Sequence, residues 1–548
     1  MSTLRKEKKV DFGFIIRDYK RYINFEILLI VIISIILFSL AMYLKDIIGE
    51  SIFNEVQWSF SYTYMTDKGP VVWYFEIYRD SNFYYESFLE AFRYEGWNPY
   101  ARSEGELDYY LYGPIFIYSL YCTSLFVSAF EPNLTRDVLL QKSVKWTAIT
   151  YDALSVVMLY ILILCLKDFR EKKIRRHIIG IIAAFAYIFM PVNIMYIDSY
   201  LLNGSQMTFF TLIMLVFFLR EKYRLSAYFL TLAFLSKQIP LFFLIPLFSI
   251  LWKNHNLSFA YRRFLRPFLF SNLILAIPWI FLTPHLYIGR IFAAGRSLWY
   301  VTLTEEGIQH GVTLANTFLY FGSKFFANLY LYINIPMIPF IIFYGLALLI
   351  SHFNAQKIKE DETIFIGYLT WLVLIIHVFM SRGIFKYYDI FLSPFLILFS
   401  LLFVNRGLNS IKIRGNKKEE KESKMDANNE LNSVYDASIS KEILFFISIC
   451  FAFLICIAAV YGINWLIMIT IRFLHPIILL GLTFFISFFI PFDFYKSIAK
   501  KENYRILKKD IKFFIKSSRL KVVRTYRKVF RRGKKKEENE EDKEMEYI

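Results

Sequence analysis

The sequence predicts an all-α polytopic membrane protein, a bundle of about twelve transmembrane helices with a large external loop after the first. Three observations predict it. Of 548 residues, 56% are hydrophobic and 20% aromatic, and mean hydropathy is positive, which is far too apolar for a soluble globular protein. The apolar stretches are continuous, as at 27–43, 178–189 and 443–460, so they suit helices crossing a core of about 30 Å rather than alternating barrel strands. Finally, the net charge of +18 sits in loops and tails beside those stretches. That placement matches positive-inside sorting and attraction to anionic membrane lipids, and it argues against nucleic acid as a partner.

Taken in order, residues 1–24 form a basic N-terminal segment, expected in the cytoplasm. A first span at 25–44 carries the chain out and stays as an anchor, since it is too long for a signal-peptide core and no Ala-x-Ala-like site follows it. Residues 45–143 then form a polar, tyrosine-rich external loop broken by Gly and Pro. Its apolar piece, 114–130, is expected to lie on the membrane surface, because a span there would put the basic run 167–177 outside.

The second span is 144–165, and others follow at 178–197, 207–219, 225–236, 240–252 and 267–283. After a second external stretch from 283 to about 334, spans are expected at 336–351, 363–380 and 388–404. Residues 405–441, rich in Lys, Glu, Asn and Ser, are expected to be a disordered cytoplasmic loop. Two last spans within 442–490 return the chain to a tail, 491–548, that is basic and then acidic.

The four cysteines contain no Cys-x-x-Cys, and the seven histidines contain no His-x-x-x-His, so neither a redox motif nor a metal centre is indicated. Chemistry therefore falls to the charged residues of the three external stretches. The first holds Glu76, Arg79, Asp80 and Glu86, followed by Asn98-Pro-Tyr and Tyr112-Gly-Pro. Asp80 can serve as the N-cap of a following helix, and such a position would also hold a carboxylate rigidly enough to act as a general base.

The second stretch contains Arg290, Arg296, Glu305, Glu306, Gln309, His310 and Asn316 before returning to apolar sequence at 313–320. In the third, 381–389, Arg382 and Lys386 are four residues apart and on a helical turn would point the same way. Positive-inside sorting does not explain cations at an external face. Paired cations there suit a phosphate group, snorkelling to lipid phosphate being the simpler alternative. Lys237 falls on a short external link by the same count. Asp152, well inside the second span, must be protonated, paired or facing a cavity, and Lys145, seven residues earlier, is a loose fit as its partner.

These pieces together resemble the polyprenyl-phosphate-sugar-dependent glycosyltransferases of the GT-C fold. An external Asp after the first span (Asp80), then Asn98-Pro-Tyr100 and Tyr112-Gly-Pro114, is similar to the Asp…Pro-Tyr…Tyr-x-Pro run of GPI mannosyltransferase I and the dolichyl-phosphate-glucose-dependent glucosyltransferases. Lys145–Asp152, Asn203-Gly-Ser-Gln206, the stretch 233–240 and the stretch 307–320 are similar to further segments of that superfamily, so the resemblance covers about residues 25–404. The chain departs from the pattern in its longer first loop and in lacking Asp-x-Asp around Asp80, so no divalent metal is indicated.

The resemblance implies inverting transfer of a hexose, mannose or glucose, from a polyprenyl-phosphate donor to a lipid-linked glycan or protein acceptor on the extracytoplasmic face. It implies Asp80 as the general base and Arg382, Lys386, Lys237, His310 and Arg296 as the donor-phosphate receptor, with no cofactor. The membrane would be the plasma membrane of a prokaryote or the endoplasmic reticulum of a eukaryote. The alternative is a multi-pass transporter or lipid or oligosaccharide flippase, for which Asp152 is the main point in favour.

Overall fold

The structure is a computed structural model that describes residues 12–56, 60–66, 69–75, 85–96, 98–100, 110, 112–169, 173–199, 201–285, 287–288, 318, 323–334, 337–379, 389–422, 479–487, 490, 492–500 and a few positions between 502 and 512. It is mostly helical. In chain order the elements are α1 (Phe12–Val56), β1 (Phe60–Thr66), β2 (Gly69–Phe75), α2 (Glu86–Tyr94), α3 (Pro114–Phe130), α4 (Arg136–Cys165), α5 (Lys173–Ile188), α6 (Pro191–Asn193), α7 (Gly204–Leu219), α8 (Tyr223–Ser236), α9 (Leu244–Asn254), α10 (Leu257–Ala260) and α11 (Arg266–Leu282). Then come α12 (Lys324–Asn334), α13 (Ile338–Phe353), α14 (Ala355–Glu360), α15 (Glu362–Phe379), α16 (Asp389–Glu422) and α17 (Phe492–Ala499).

Four helices among the described residues are long and apolar enough to cross a membrane: Phe25–Ser51 within α1, α4, the continuous helix Leu257–Leu282 and α15. Shorter apolar helices include α3, α7 and α13. On α1, Phe25, Leu28, Ile32, Ile35 and Ile36 are exposed, a surface that suits lipid rather than water. Helix α15 is buried along its whole length and packs against α13 and α16 at the centre.

Several sequence expectations change. The first apolar helix does not stop at residue 44. It runs from Phe12 to Val56, because no proline interrupts that stretch and each added residue extends an existing ladder. The stretch expected to be an external loop contains one strand pair. β1 and β2 form an antiparallel hairpin with Phe60 opposite Phe75 and Thr66 opposite Gly69. Both strands are rich in aromatic and β-branched residues, and only two residues separate them, which favours pairing over helix.

Helix α5 ends at Ile188, ahead of Pro191, instead of running on to 197. A π-helical turn, Ile194–Ser199, follows α6. The segment expected to be disordered from 405 begins as the continuation of α16, which stays helical to Glu422. Its Lys and Glu residues are good helix formers and the preceding turns have already paid the nucleation cost. Of the stretch 442–490 expected to hold the two last spans, residues 442–478 lie outside the described residues.

Helices α4, α7, α8 and α16 traverse the bundle between two ends. At one end the start of α4, the start of α7, the finish of α8 and the start of α16 come together with α2. At the opposite end, the Glu362 carboxylate accepts from the backbone N–H groups of Lys167 (2.5 Å) and Asp168 (3.4 Å). There Arg175 donates to Asn405 Oδ1 at 2.8 Å, and Lys359 meets Glu221 at 2.9 Å. One core runs through the bundle, and a second, richer in aromatic rings, sits at the α2 end.

Candidate functional site

Helix α2 positions the aromatic end. Its buried residues Phe88, Leu89, Ala91 and Phe92 recur at helical spacing and form one apolar stripe. Each fully buried ring contributes about 1.5–3 kcal/mol by its removal from water. Glu86 in the first turn and Arg93 in the last suit the helix dipole. Glu86 is half-buried, and burial pushes its carboxyl up to about 7; Asp137 and Glu90 add to this, against a hydrogen bond with Gln141.

The loop after α2 is held by its own tyrosines. Asn98 Oδ1 accepts from the Tyr100 N–H at 3.1 Å, and Asn98 Nδ2 donates to Thr283 Oγ1 at 3.3 Å. Tyr100 Oη donates to the Tyr112 carbonyl, and Tyr110 Oη to the Gly113 carbonyl, both at 2.8 Å. Burial pushes the Tyr100 and Tyr110 hydroxyls well above their ordinary range, so both stay neutral donors. The Tyr100 ring meets Trp279 and Tyr287, each at 5.2 Å. Gly113 lies so close to the Leu235 backbone that a Cβ there would collide with it, and Pro114 opens α3. The Asn-Pro-Tyr and Tyr-Gly-Pro segments are thus brought together with the ends of α8 and α11.

Lys237 lies where these pieces meet. It caps α8 rather than lying on an open link, and it is buried at 2% exposure. Its ammonium donates to Asn203 Oδ1 at 2.9 Å and stands 6.0 Å from the centre of the Tyr112 ring. The Asn203 N–H donates to Tyr85 Oη at 3.4 Å, and the Tyr85 and Tyr112 hydroxyls are 3.5 Å apart. Asn203 Nδ2 is buried and makes no hydrogen bond among the described residues. The arrangement therefore offers a buried cation, an amide donor and tyrosine hydroxyls in one place, groups that suit a phosphate oxygen or a sugar hydroxyl.

Of the six residues that the resemblance assigns to catalysis or to the donor phosphate, Lys237 is described; Asp80, Arg296, His310, Arg382 and Lys386 lie outside the described residues. Beside the aromatic core, between α3, α4 and α7, is a cleft of about 750 Å³ lined by Tyr118, Ser119, Cys122, Trp146, Tyr151 and mostly apolar neighbours. Lys237 is not part of its lining.

A second polar cluster lies deeper. Asp152 does not pair with Lys145. Seven residues on one helix are about 10.5 Å apart along its axis, and Lys145 instead reaches Asp46 at 2.6 Å and Glu50 at 2.9 Å. The partner of Asp152 is Lys45 of α1, whose ammonium also meets Asp198 Oδ2 at 3.1 Å. Tyr187 Oη donates to Asp152 Oδ1 at 2.9 Å. Lys45 and Asp152 are fully buried and Asp198 is 2% exposed. Gly49, one turn beyond Lys45, permits the approach, since a Cβ there would lie 2.5 Å from the Asp198 carbonyl oxygen.

Asp198 belongs to the link between helices. Burial pushes its carboxyl well above the usual range; Lys45 opposes that rise and Asp152 adds to it. Sequence reasoning did not single out Lys45 or Asp198. Lys45 looks like an ordinary boundary residue after an apolar run. The available signal was Asp198 within Ile194-Met-Tyr-Ile-Asp-Ser, a second carboxylate in an apolar stretch that, like Asp152, needs a partner. No trio of His, Cys, Asp or Glu is gathered to hold a metal among the described residues.

No family model matches this chain, and no curated protein matches it.

Proposed function

We propose that the protein is a multi-pass membrane glycosyltransferase that moves a hexose, with inversion, from a polyprenyl-phosphate donor to a lipid-linked glycan or protein acceptor on the extracytoplasmic face. The single observation that carries this is the meeting of Asn98–Tyr100, Tyr112–Pro114, Asn203 and Lys237, segments far apart in sequence that bear the family-like motifs, around one buried ammonium.

In this mechanism Asp80 takes the acceptor hydroxyl proton as the oxygen attacks the anomeric carbon. The donor phosphate leaves with the bonding electrons and grows more negative. Lys237, with Arg382, Lys386, His310 and Arg296 assigned by the resemblance, stabilises that charge, which is where preorganised cations lower a barrier most.

The test is an assay of the purified protein with a panel of polyprenyl-phosphate sugars, scored by release of polyprenyl phosphate. Asp80→Asn is expected to cut transfer below about a tenth, since a general base contributes about 10²–10⁴ in rate. Retention of more than that would remove Asp80 from the role.

A second reading, a transporter or flippase, is favoured by one observation: Lys45, Asp152 and Asp198 are charged groups inside an apolar bundle. Movement of a lipid-linked or ionic substrate in proteoliposomes, with no polyprenyl phosphate released, would favour it.

A further inference from the structure

The Lys45 cluster has one ammonium for two carboxylates. Asp152 has a partner on each oxygen, Lys45 on one and Tyr187 on the other. Asp198 has Lys45 on Oδ2 only, and its buried Oδ1 makes no hydrogen bond among the described residues. At the edge of the cluster, beside the Tyr187 hydroxyl, stands Asn193, which is fully buried. With all three charged groups ionised, the cluster would carry a net negative charge away from water, which is costly. Two carboxylates contacting one ammonium also repel each other, and such pairs hold a proton between them.

We propose that this cluster is a proton-binding site: at neutral pH the Asp152–Asp198 pair holds one proton, carried by Asp198, with Lys45 and Asp152 as the remaining ion pair. Among the described residues, the titratable groups that meet Asp198 are Lys45 from α1 and Asp152 from α4, with Tyr187 from α5 one contact further. A proton fits better than a metal ion. A hard cation needs about six oxygen ligands, whereas the ammonium already stands between the two carboxylates. The site bridges α1, α4 and the turn 194–199. That turn leads through Leu201, held at φ +58°, to Asn203, the partner of Lys237. Its protonation state therefore bears on how firmly the strand of chain that carries Asn203 is pinned.

The experiment uses the full chain in lipid nanodiscs, with isotope-labelled aspartate, and infrared spectra recorded from pH 5 to 9. A protonated-aspartate carbonyl band at pH 7 is expected in the wild type, equivalent to one residue. It should vanish in Asp198→Asn and also in Asp152→Asn, because either change leaves one carboxylate for one ammonium. Absence of that band from the wild type, or its survival in Asp198→Asn, would overturn the proposal. The wild-type spectrum decides by itself should a variant not fold. No sugar donor or acceptor enters the measurement, so its outcome is independent of the glycosyltransferase reading.

Discussion

Two lysines are buried among the described residues of this bundle, and their surroundings differ in kind. Lys45, at 0% exposure, stands between two carboxylates contributed by other segments. Lys237, at 2%, is described with an amide oxygen and a tyrosine ring as partners, at the edge of an aromatic core. The first environment binds helices together through charge and has two carboxyl groups for one ammonium. The second sets an ammonium beside an amide oxygen and a tyrosine ring, groups that can also meet a ligand. A buried ion by itself says little about function; the chemistry around it separates a structural centre from a candidate site.

The largest expected effect lies at the first lysine. Lys45→Met leaves the buried Asp152 carboxylate without its ammonium, and breaking a buried pair in this way costs about 3–5 kcal/mol. It should show as a sharply lowered thermal midpoint and reduced yield of folded protein in nanodiscs. If the midpoint hardly moved, the contrast between the two sites would fail. Lys237→Met should behave the opposite way, retaining most of the midpoint while polyprenyl-phosphate release falls by about 10²–10³, the cost of removing one stabilising group from a developing anion. Loss of folding in step with activity would make Lys237 structural as well.

The smallest effect concerns Glu86, at the rim of the aromatic end. Its carboxyl is raised from 4.5 to about 7, so the folded protein binds that proton more tightly than the unfolded chain does. The resulting stabilisation is present at low pH and is lost as pH rises from about 4.5 to 7. A Glu86→Gln variant should lose that part of the fall in thermal midpoint; an unchanged profile would place the titration elsewhere.

Much of the helical framework was legible in the sequence, since the apolar runs around α4, α7, α8, α11, α13 and α15 are long and flanked by charge. The misses have local causes. The hairpin Phe60–Phe75 was hidden in a loop judged by its polarity, although its alternating aromatic and β-branched residues favour strands. The length of α16 is not legible from its polar composition, which a disordered loop shares, whereas a helix already formed extends readily through Lys and Glu. For the candidate site, Lys237 and the Asn98, Tyr112 and Asn203 segments were picked out by sequence, but not that Lys237 is buried and held by Asn203.

By itself the sequence determined that this is a chain of apolar helices suited to a membrane, because continuous hydrophobic runs have no other way to satisfy their backbone away from water. Only the tertiary structure decided which charges meet. Lys45 finds Asp198 across 153 residues, while Lys145, on the same helix as Asp152, turns to α1. Ion pairing depends on a few ångströms of approach between helices, and that distance is set by packing, down to the missing Cβ of Gly49.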